Sequence, residues 1–206
     1  MQNIEDIIKN FVLLWAVIDP IGTIPVFIAV TKQHKDWEKS KIAYRAIFVA
    51  GGILVFFVIV GEILLDAIGV PLSAFQIAGG IVLFLFALSM IFGEGKPEGE
   101  IQIVKDGKET AIFPLAIPSI ASPGAMMGVV LLTDNTRFSI LNQTITTGVM
   151  VLVLLITLLF LLLAQRIHKV IGDSGASIIS RVMGLILASV AANSVLDGIK
   201  TYFKLG

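Results

Sequence analysis

The sequence predicts an all-α membrane protein whose six transmembrane helices form two inverted three-helix repeats, with helices one and four broken. Three observations predict this fold. The 206 residues are 56% hydrophobic and only 15% charged, with a mean hydropathy of +0.96. Six apolar windows are long enough to cross a bilayer, and two of them carry proline and glycine near their centres. Such an apolar composition is typical of a chain that folds in lipid.

Each predicted span contains about 20 apolar residues, the length that a helix needs to cross the hydrocarbon core. The longest polar interval is rich in glycine and charge and divides the spans three and three. We therefore expect a single membrane domain, residues 1–206, with repeat one at 8–93, a cytoplasmic linker at 94–110 and repeat two at 111–203. The six windows cover residues 10–31, 43–65, 71–92, 111–133, 144–164 and 178–199.

Lysine and arginine are distributed unequally between the two sides that these spans define. One side carries eleven of them and the other carries four. The positive-inside rule places the richer side in the cytoplasm and both termini outside. An odd number of spans in each half makes the second half enter the membrane from the opposite side, so the repeat is inverted, as in many secondary transporters. The four residues predicted to lie outside are Lys9, Arg137, Lys200 and Lys204.

The first span of each half contains a motif that breaks a helix near the bilayer midplane. These motifs are DPIGTIP at 19–25 and PSIASPGA at 118–125. Proline removes a backbone N–H and glycine lowers the cost of unwinding, so backbone groups lose their partners inside the helix. Such groups are tolerated in hydrocarbon only where protein, water or a ligand satisfies them. Paired breaks at equivalent depth therefore predict a solute site.

The candidate binding residues flank the two breaks. The N-terminal ends of the half-helices after Pro20 and Pro123 suit a substrate carboxylate. A carboxylate at mid-membrane, Asp19, indicates function and suits a substrate ammonium or a coupling proton. The alternative, that Asp19 caps a half-helix beginning at Pro20, is compatible with that role. The residues predicted to bind substrate at the breaks are Asp19, Pro20, Gly22, Thr23, Ser122, Pro123, Gly124 and Ala125.

Polar residues on the third span of each half are further candidates. Ser89 and Asn193 fall opposite each other when residues 75–93 are laid on 179–197, and Asp197 follows one turn after Asn193. We expect these side chains to face an aqueous cavity. The alternative, that Ser89 and Asn193 form hydrogen bonds between helices, stays open, as does a place for Asp197 at the outer interface.

The charge balance and the missing motifs exclude several function classes. Fifteen basic residues equal fifteen acidic ones, so no nucleic acid is expected as a partner, and no cysteine is present for thiolate chemistry. No cofactor or metal motif appears. Gly172-Asp173-Ser174-Gly175 fits the G-x-S-G pattern of rhomboid proteases, but it lies in a polar loop and both histidines lie in predicted cytoplasmic loops. No intramembrane base is available to activate the serine, so an enzyme is not expected.

Four segments of the chain are distinctive: LWAVIDPIGTIPVFIAVT, FQIAGGIVLFLFAL, FPLAIPSIASPGAM and SRVMGLILASVAANSVLDGI. Together they resemble the MarC family of integral membrane proteins, and the resemblance covers essentially the whole length. It implies an organisation similar to the lysine-exporter superfamily and, as for some members, transport of glycine and alanine across the cytoplasmic membrane. A coupling proton or sodium ion and a homo-oligomer stay open, as do a channel, an exporter of another solute and a membrane scaffold. Ser122 stands where many members have glycine.

Overall fold

The structure, a computed structural model, describes residues 4–92, 107–135 and 138–204. The regular elements within those ranges are all helical. In chain order they are α1 (Ile4–Ile18), α2 (Thr23–Thr31), α3 (Asp36–Ala67), α4 (Leu72–Phe92), α5 (Gly107–Thr110), an irregular stretch wound in part as a π-helix and called here the π segment (Ala111–Ile120), α6 (Pro123–Leu132), α7 (Ile140–Leu162) and α8 (Ala164–Tyr202).

The predicted spans are confirmed as five or six candidate membrane crossings. Five helical stretches are long and apolar enough to cross by themselves, and a sixth crossing results if the π segment and α6 count as one bent span. The predicted linker at 94–110 lies mostly outside the described residues. The five single stretches are Ile4–Thr31, Asp36–Gly61, Leu72–Phe92, Ile140–Leu162 and Ser174–Tyr202.

Both predicted breaks are present, but their shapes differ. The first lies between α1 and α2, which still count together as one 28-residue span, whereas the π segment and α6 are bent by 54°. The half-helix predicted to begin at Pro20 begins instead at Thr23. Asp19 leaves the helix in the left-handed region, with φ of +49°, so residues 20–22 form a turn before helical backbone resumes. The second half-helix begins at Pro123, as expected.

Two prolines explain why the π segment is irregular. Pro114 and Pro118 lie inside it, and the residues before them, Phe113 and Ile117, have extended backbone with φ near −130° and ψ near 130°. Proline clashes with helical backbone at the preceding residue and pushes it into the extended region. The segment therefore rejoins regular helix only after Ala121, at α6.

The broken segments lie at the centre of the helix assembly. α1 packs on α6, α7 and α8, while α2 packs on α8 and the π segment. α3 closes one side against the π segment, α6 and α7, and α4 closes another against α6 and α8. Leu14, Val17 and Ile18 at the end of α1 are fully buried. The outer helices turn apolar side chains outward, which is the expected arrangement for a surface that meets lipid.

Glycine allows α4 and α8 to approach closely. A Cβ atom added at Gly80 would lie 3.0 Å from the carbonyl oxygen of Ala191, and one at Gly184 would lie 3.0 Å from the carbonyl oxygen of Ala87. Small residues of this kind let backbones meet in membrane helix pairs. α4 and α8 thus form a close pair, and a larger side chain at either glycine would separate them.

The G-x-S-G motif lies at a break inside α8. Gly172 has φ of +66° and ψ of 175°, a conformation that glycine adopts without the penalty of a Cβ atom. Ser174 is exposed and stands at the start of the last candidate span. The glycine-rich turn expected from the sequence is therefore a sharp junction between residues 164–171 and the final membrane helix.

Candidate functional site

The first break is organised by Asp19. The Asp19 N–H donates to the Trp15 carbonyl oxygen at 2.9 Å and closes α1. Its own carbonyl oxygen accepts from the Thr23 N–H at 3.1 Å and from Thr23 Oγ1 at 2.9 Å. The carboxylate Oδ1 accepts from the Gly22 N–H at 3.0 Å. Aspartate is one of the few residues other than glycine that occupy the left-handed region, and here it supplies acceptors to the start of α2.

The second break is organised by Ser122 in an analogous way. Ser122 is the N-cap of α6, and its Oγ accepts from the Ala125 N–H at 3.0 Å. Pro123 follows at the first helical position, where its missing N–H costs nothing. The same hydroxyl donates to the Val17 carbonyl oxygen at 3.1 Å. Val17 lies in the last turn of α1, where carbonyl oxygens lack partners in their own helix, so Ser122 satisfies groups at both breaks.

The two breaks meet through a second pair of hydroxyl groups. Ser119, at the end of the π segment, donates to Thr23 Oγ1 at 3.4 Å. Thr23 in turn donates to the Asp19 carbonyl oxygen. A chain of hydroxyl hydrogen bonds therefore runs from the second break to the backbone of the first, with all of its members buried.

A residue from α8 completes the arrangement. Ser180 Oγ donates to Asp19 Oδ2 at 3.5 Å, and both side chains are buried. Within the described ranges, no lysine or arginine forms an ion pair with Asp19. The partners of the Asp19 side chain in the described part of the chain are thus a backbone N–H and a hydroxyl group. We call these residues the polar cluster: Asp19, Thr23, Ser119, Ser122 and Ser180.

The polar cluster is rich in hydrogen-bonding groups. It offers one carboxylate and four hydroxyl groups, which both donate and accept hydrogen bonds. Across the residues that the structure covers, no group of three histidine, cysteine or acidic side chains is arranged to hold a metal. Every member is at most 5% exposed, so the cluster is closed to bulk solvent in this conformation.

Gly22 is required by the position of the Asp19 carboxylate. Its backbone has an ordinary helical φ of −67°, so conformation does not demand glycine. A Cβ atom at position 22, however, would lie 1.9 Å from Asp19 Oδ2 and 2.9 Å from Ser180 Oγ. The carboxylate thus occupies the space that any other side chain would need.

Comparison with known proteins identifies the family to which this membrane chain belongs. The model of the MarC family integral membrane proteins matches residues 4–203. The chain belongs to the MarC family. A UPF0056 membrane protein of Methanocaldococcus jannaschii is 32% identical over 97% of this chain and 98% of its own length. The UPF0056 inner membrane protein YhgN of Escherichia coli is 32% identical over 97% and 99%. No solved structure matches significantly.

The MarC motifs supply most of the polar cluster, and the residues predicted at the breaks lie in it or close to it. Asp19, Thr23 and Ser122 are members of the cluster, with Gly22 and Ala125 bonded directly to it through their N–H groups. Pro20 and Gly124 are buried beside them, whereas Pro123 is exposed. The break motifs of this MarC chain therefore converge in space.

Ser89 and Asn193 are not brought to the polar cluster. Both are exposed on the α4–α8 pair. Ser89 Oγ donates to the Phe86 carbonyl oxygen of its own helix at 2.7 Å, and Asn193 Nδ2 donates to Asp197 Oδ2 at 2.9 Å. Each side chain is thus bonded within its own helix, and neither reaches the polar cluster in this conformation.

Sequence reasoning missed Ser119 and Ser180 as site residues. Ser119 lies in the motif of the second break, directly after Pro118. A hydroxyl group at a helix break could therefore have been predicted as part of the site. Ser180 had no comparable signal, because a serine near the start of a span is common and its partner lies 161 positions away. Only the packing of α8 on α2 identifies it.

Gly22→Ala tests the close approach at the first break of this MarC-family chain. The added methyl group must displace the Asp19 carboxylate, so we expect a loss of about 1–3 kcal/mol of stability, as for overpacked cores. The measurement is thermal unfolding of the purified protein in detergent. Gly148→Ala is the matched control, because a Cβ there meets nothing within 4 Å.

The double variant Asp19→Ser with Gly22→Ala makes the test specific. Removing the carboxylate frees the space at position 22, so the alanine should cost much less in this background. An equal cost of Gly22→Ala with and without the Asp19 carboxylate would contradict the proposed clash.

Proposed function

We propose that the chain is a secondary transporter that moves small neutral amino acids, glycine and alanine, across the cytoplasmic membrane by alternating access, without enzymatic activity. The polar cluster between two helix breaks carries this proposal. Binding sites between discontinuous helices are the usual arrangement in secondary transporters. The resemblance to MarC members that move glycine and alanine supports the substrate class. The inner-membrane designation of YhgN supports the location.

The chemical difference between the two breaks favours a zwitterionic substrate. α2 and α6 both begin at the cluster, and the start of a helix favours negative charge. At α2 this place is taken by the Asp19 carboxylate, whose Oδ1 accepts from Gly22. At α6 the cap is the neutral Ser122 hydroxyl. A substrate carboxylate would bind at α6, and its ammonium group would bind near Asp19.

An inverted repeat is part of the proposal, and two pairs of contacts support it. The side-chain bonds at the two breaks correspond in spacing, since Asp19 accepts from the N–H three residues later and Ser122 does the same. The helix pair corresponds as well. Gly80 approaches the Ala191 carbonyl oxygen, while Gly184 approaches that of Ala87. Gly80 aligns with Gly184 and Ala87 with Ala191, so exchanging the halves turns one contact into the other, as a two-fold axis between repeats requires.

We infer that a cavity beside α2 lies on the route to the cluster. It has a volume of about 190 Å³ and is lined at its polar side by Asp36, Lys39, Ser40 and Arg166. Phe27 of α2 forms part of its wall and is itself buried. Phe27 follows Thr23 by one turn of α2, so it lies about 6 Å along the helix axis from this member of the cluster at a rise of about 1.5 Å per residue. Access from this side would require Phe27 to move.

Asp19→Asn tests the role of the carboxylate. The substitution keeps the side-chain shape and an acceptor for the Gly22 N–H, but it removes the negative charge. A hydrogen bond to a charged group contributes about 1.5–3 kcal/mol, and the substrate ammonium would lose that contribution. We expect glycine counterflow in proteoliposomes to fall at least about tenfold. Asp197→Asn is the control, because Asp197 is exposed and bonded to Asn193, and it should retain counterflow. Wild-type counterflow in Asp19→Asn would reduce Asp19 to a backbone cap.

Ala125→Val tests whether the site is limited in size. Ala125 is fully buried and its N–H donates to Ser122, so added methyl groups would intrude at the start of α6. Alanine transport should fall more than glycine transport, with a discrimination of about 1–3 kcal/mol. Ala50→Val, at another fully buried alanine, should lower both substrates together with protein yield. An unchanged ratio in Ala125→Val would exclude this side chain from the site.

Single cysteines test the orientation with both termini outside. The chain has no cysteine of its own, and Gln33 and Lys204 are both exposed in the structure. In intact cells, an impermeant thiol reagent should label Lys204→Cys and leave Gln33→Cys unlabelled until the membrane is permeabilised. The opposite labelling pattern would show that both termini lie inside. Labelling of neither cysteine after permeabilisation would show that the two positions are inaccessible to the reagent.

A further inference from the structure

A groove lies on the outer surface of the helix assembly, away from the polar cluster. It has a volume of about 590 Å³ and is formed by one face of α3 and the start of the π segment. That size is within the range of small-molecule sites in proteins, about 300–1,000 Å³. The residues that line it are Tyr44, Arg45, Phe48, Val49, Ala111 and Ile112.

The groove has a polar end and an apolar end. Tyr44 and Arg45 lie one helical turn before Phe48 and Val49, so each polar side chain is stacked above an apolar one along α3. Phe48 is 84% exposed and Ile112 is 50% exposed. Residues 46–61 after Arg45 contain no charge, which places Arg45 at the boundary between the hydrocarbon and the headgroup region. The groove therefore runs from that boundary into the hydrocarbon.

Arg45 differs from the other basic residues near the start of α3. Lys39 binds Asp36 with an Nζ–Oδ1 distance of 3.0 Å, and Lys41 lies 4.5 Å from the centre of the Trp37 ring. Among the residues that the structure describes, no acidic side chain lies within ion-pair distance of the Arg45 guanidinium. This guanidinium is exposed at the rim of the groove and can form paired hydrogen bonds to a phosphate.

We propose that this groove binds an anionic phospholipid. The phosphate of the headgroup binds Arg45 and the Tyr44 hydroxyl, and an acyl chain packs on Phe48, Val49 and Ile112. The charge of Arg45 selects an anionic headgroup over a zwitterionic one, and the apolar wall selects a lipid over free phosphate. If the basic loops face the cytoplasm, the lipid belongs to the inner leaflet, where basic residues attract anionic lipids. The binding itself does not depend on that orientation or on transport.

Native mass spectrometry of the full chain measures this binding directly. The protein is released from micelles supplied with phosphatidylglycerol or with phosphatidylcholine of the same acyl chains. Wild type should retain phosphatidylglycerol preferentially. In Arg45→Gln the ratio of retained phosphatidylglycerol to retained phosphatidylcholine should fall about fivefold, since one basic residue near an anionic surface contributes about 1 kcal/mol. Arg45→Lys keeps the charge and should retain part of the preference. Phe48→Ala should weaken retention of both lipids alike.

Arg181→Gln is the matched control, because Arg181 is also an exposed arginine on the same predicted side. It should leave the preference unchanged. Equal retention of both lipids by wild type, or an equal loss in Arg181→Gln, would overturn the proposal and reduce the effect to diffuse surface charge. Oxidative cross-linking of Phe48→Cys into a dimer would also overturn it, because the groove would then be an interface between copies. Each variant is first shown to be monodisperse with wild-type thermal stability.

Discussion

The fold depends on how the polar backbone groups at two helix breaks are satisfied away from water. In hydrocarbon an unpaired N–H or carbonyl group is costly, and each proline removes one donor from the regular pattern. The side chains of Asp19 and Ser122 accept hydrogen bonds from backbone N–H groups at the start of α2 and α6. Ser122 also donates to the end of α1. Because hydroxyl groups of the second break donate to groups of the first, α1, α2, the π segment and α6 pack together at the centre.

This central packing determines the roles of the remaining helices. α3 and α7 cover α1 and the π segment, and the α4–α8 pair covers the other side. Asn10 of α1 donates to Thr146 of α7 at 3.0 Å, so this contact too joins polar groups that lipid could not satisfy. The outer faces need only be apolar, and they carry Phe56, Leu155 and Leu185 toward the surroundings. The polar contacts that fix how the helices pack therefore lie inside the assembly, and its outer surface is mainly apolar.

The sequence was sufficient to predict the spans and the breaks, because both follow from local composition. Length and hydropathy define a crossing, and proline with glycine defines a break wherever it occurs. Starts of helices were less predictable: Pro20 resembled a first helical residue, but the left-handed backbone at Asp19 delays α2 to Thr23. Contacts such as Ser180 with Asp19 join distant positions, and no local pattern encodes them. Ser89 and Asn193 were grouped by alignment, yet their helices turn them outward.

The space shared by Asp19 and Gly22 has a consequence for how sequences of this family can diverge. The carboxylate lies where a Cβ at position 22 would be, so the two positions cannot vary independently. A lineage that acquires any side chain at position 22 must first shorten or lose the acid at position 19, and it then also loses the acceptor for the Gly22 N–H. Relatives that keep the acid should therefore keep the glycine, whereas relatives that have lost the acid are free to change it.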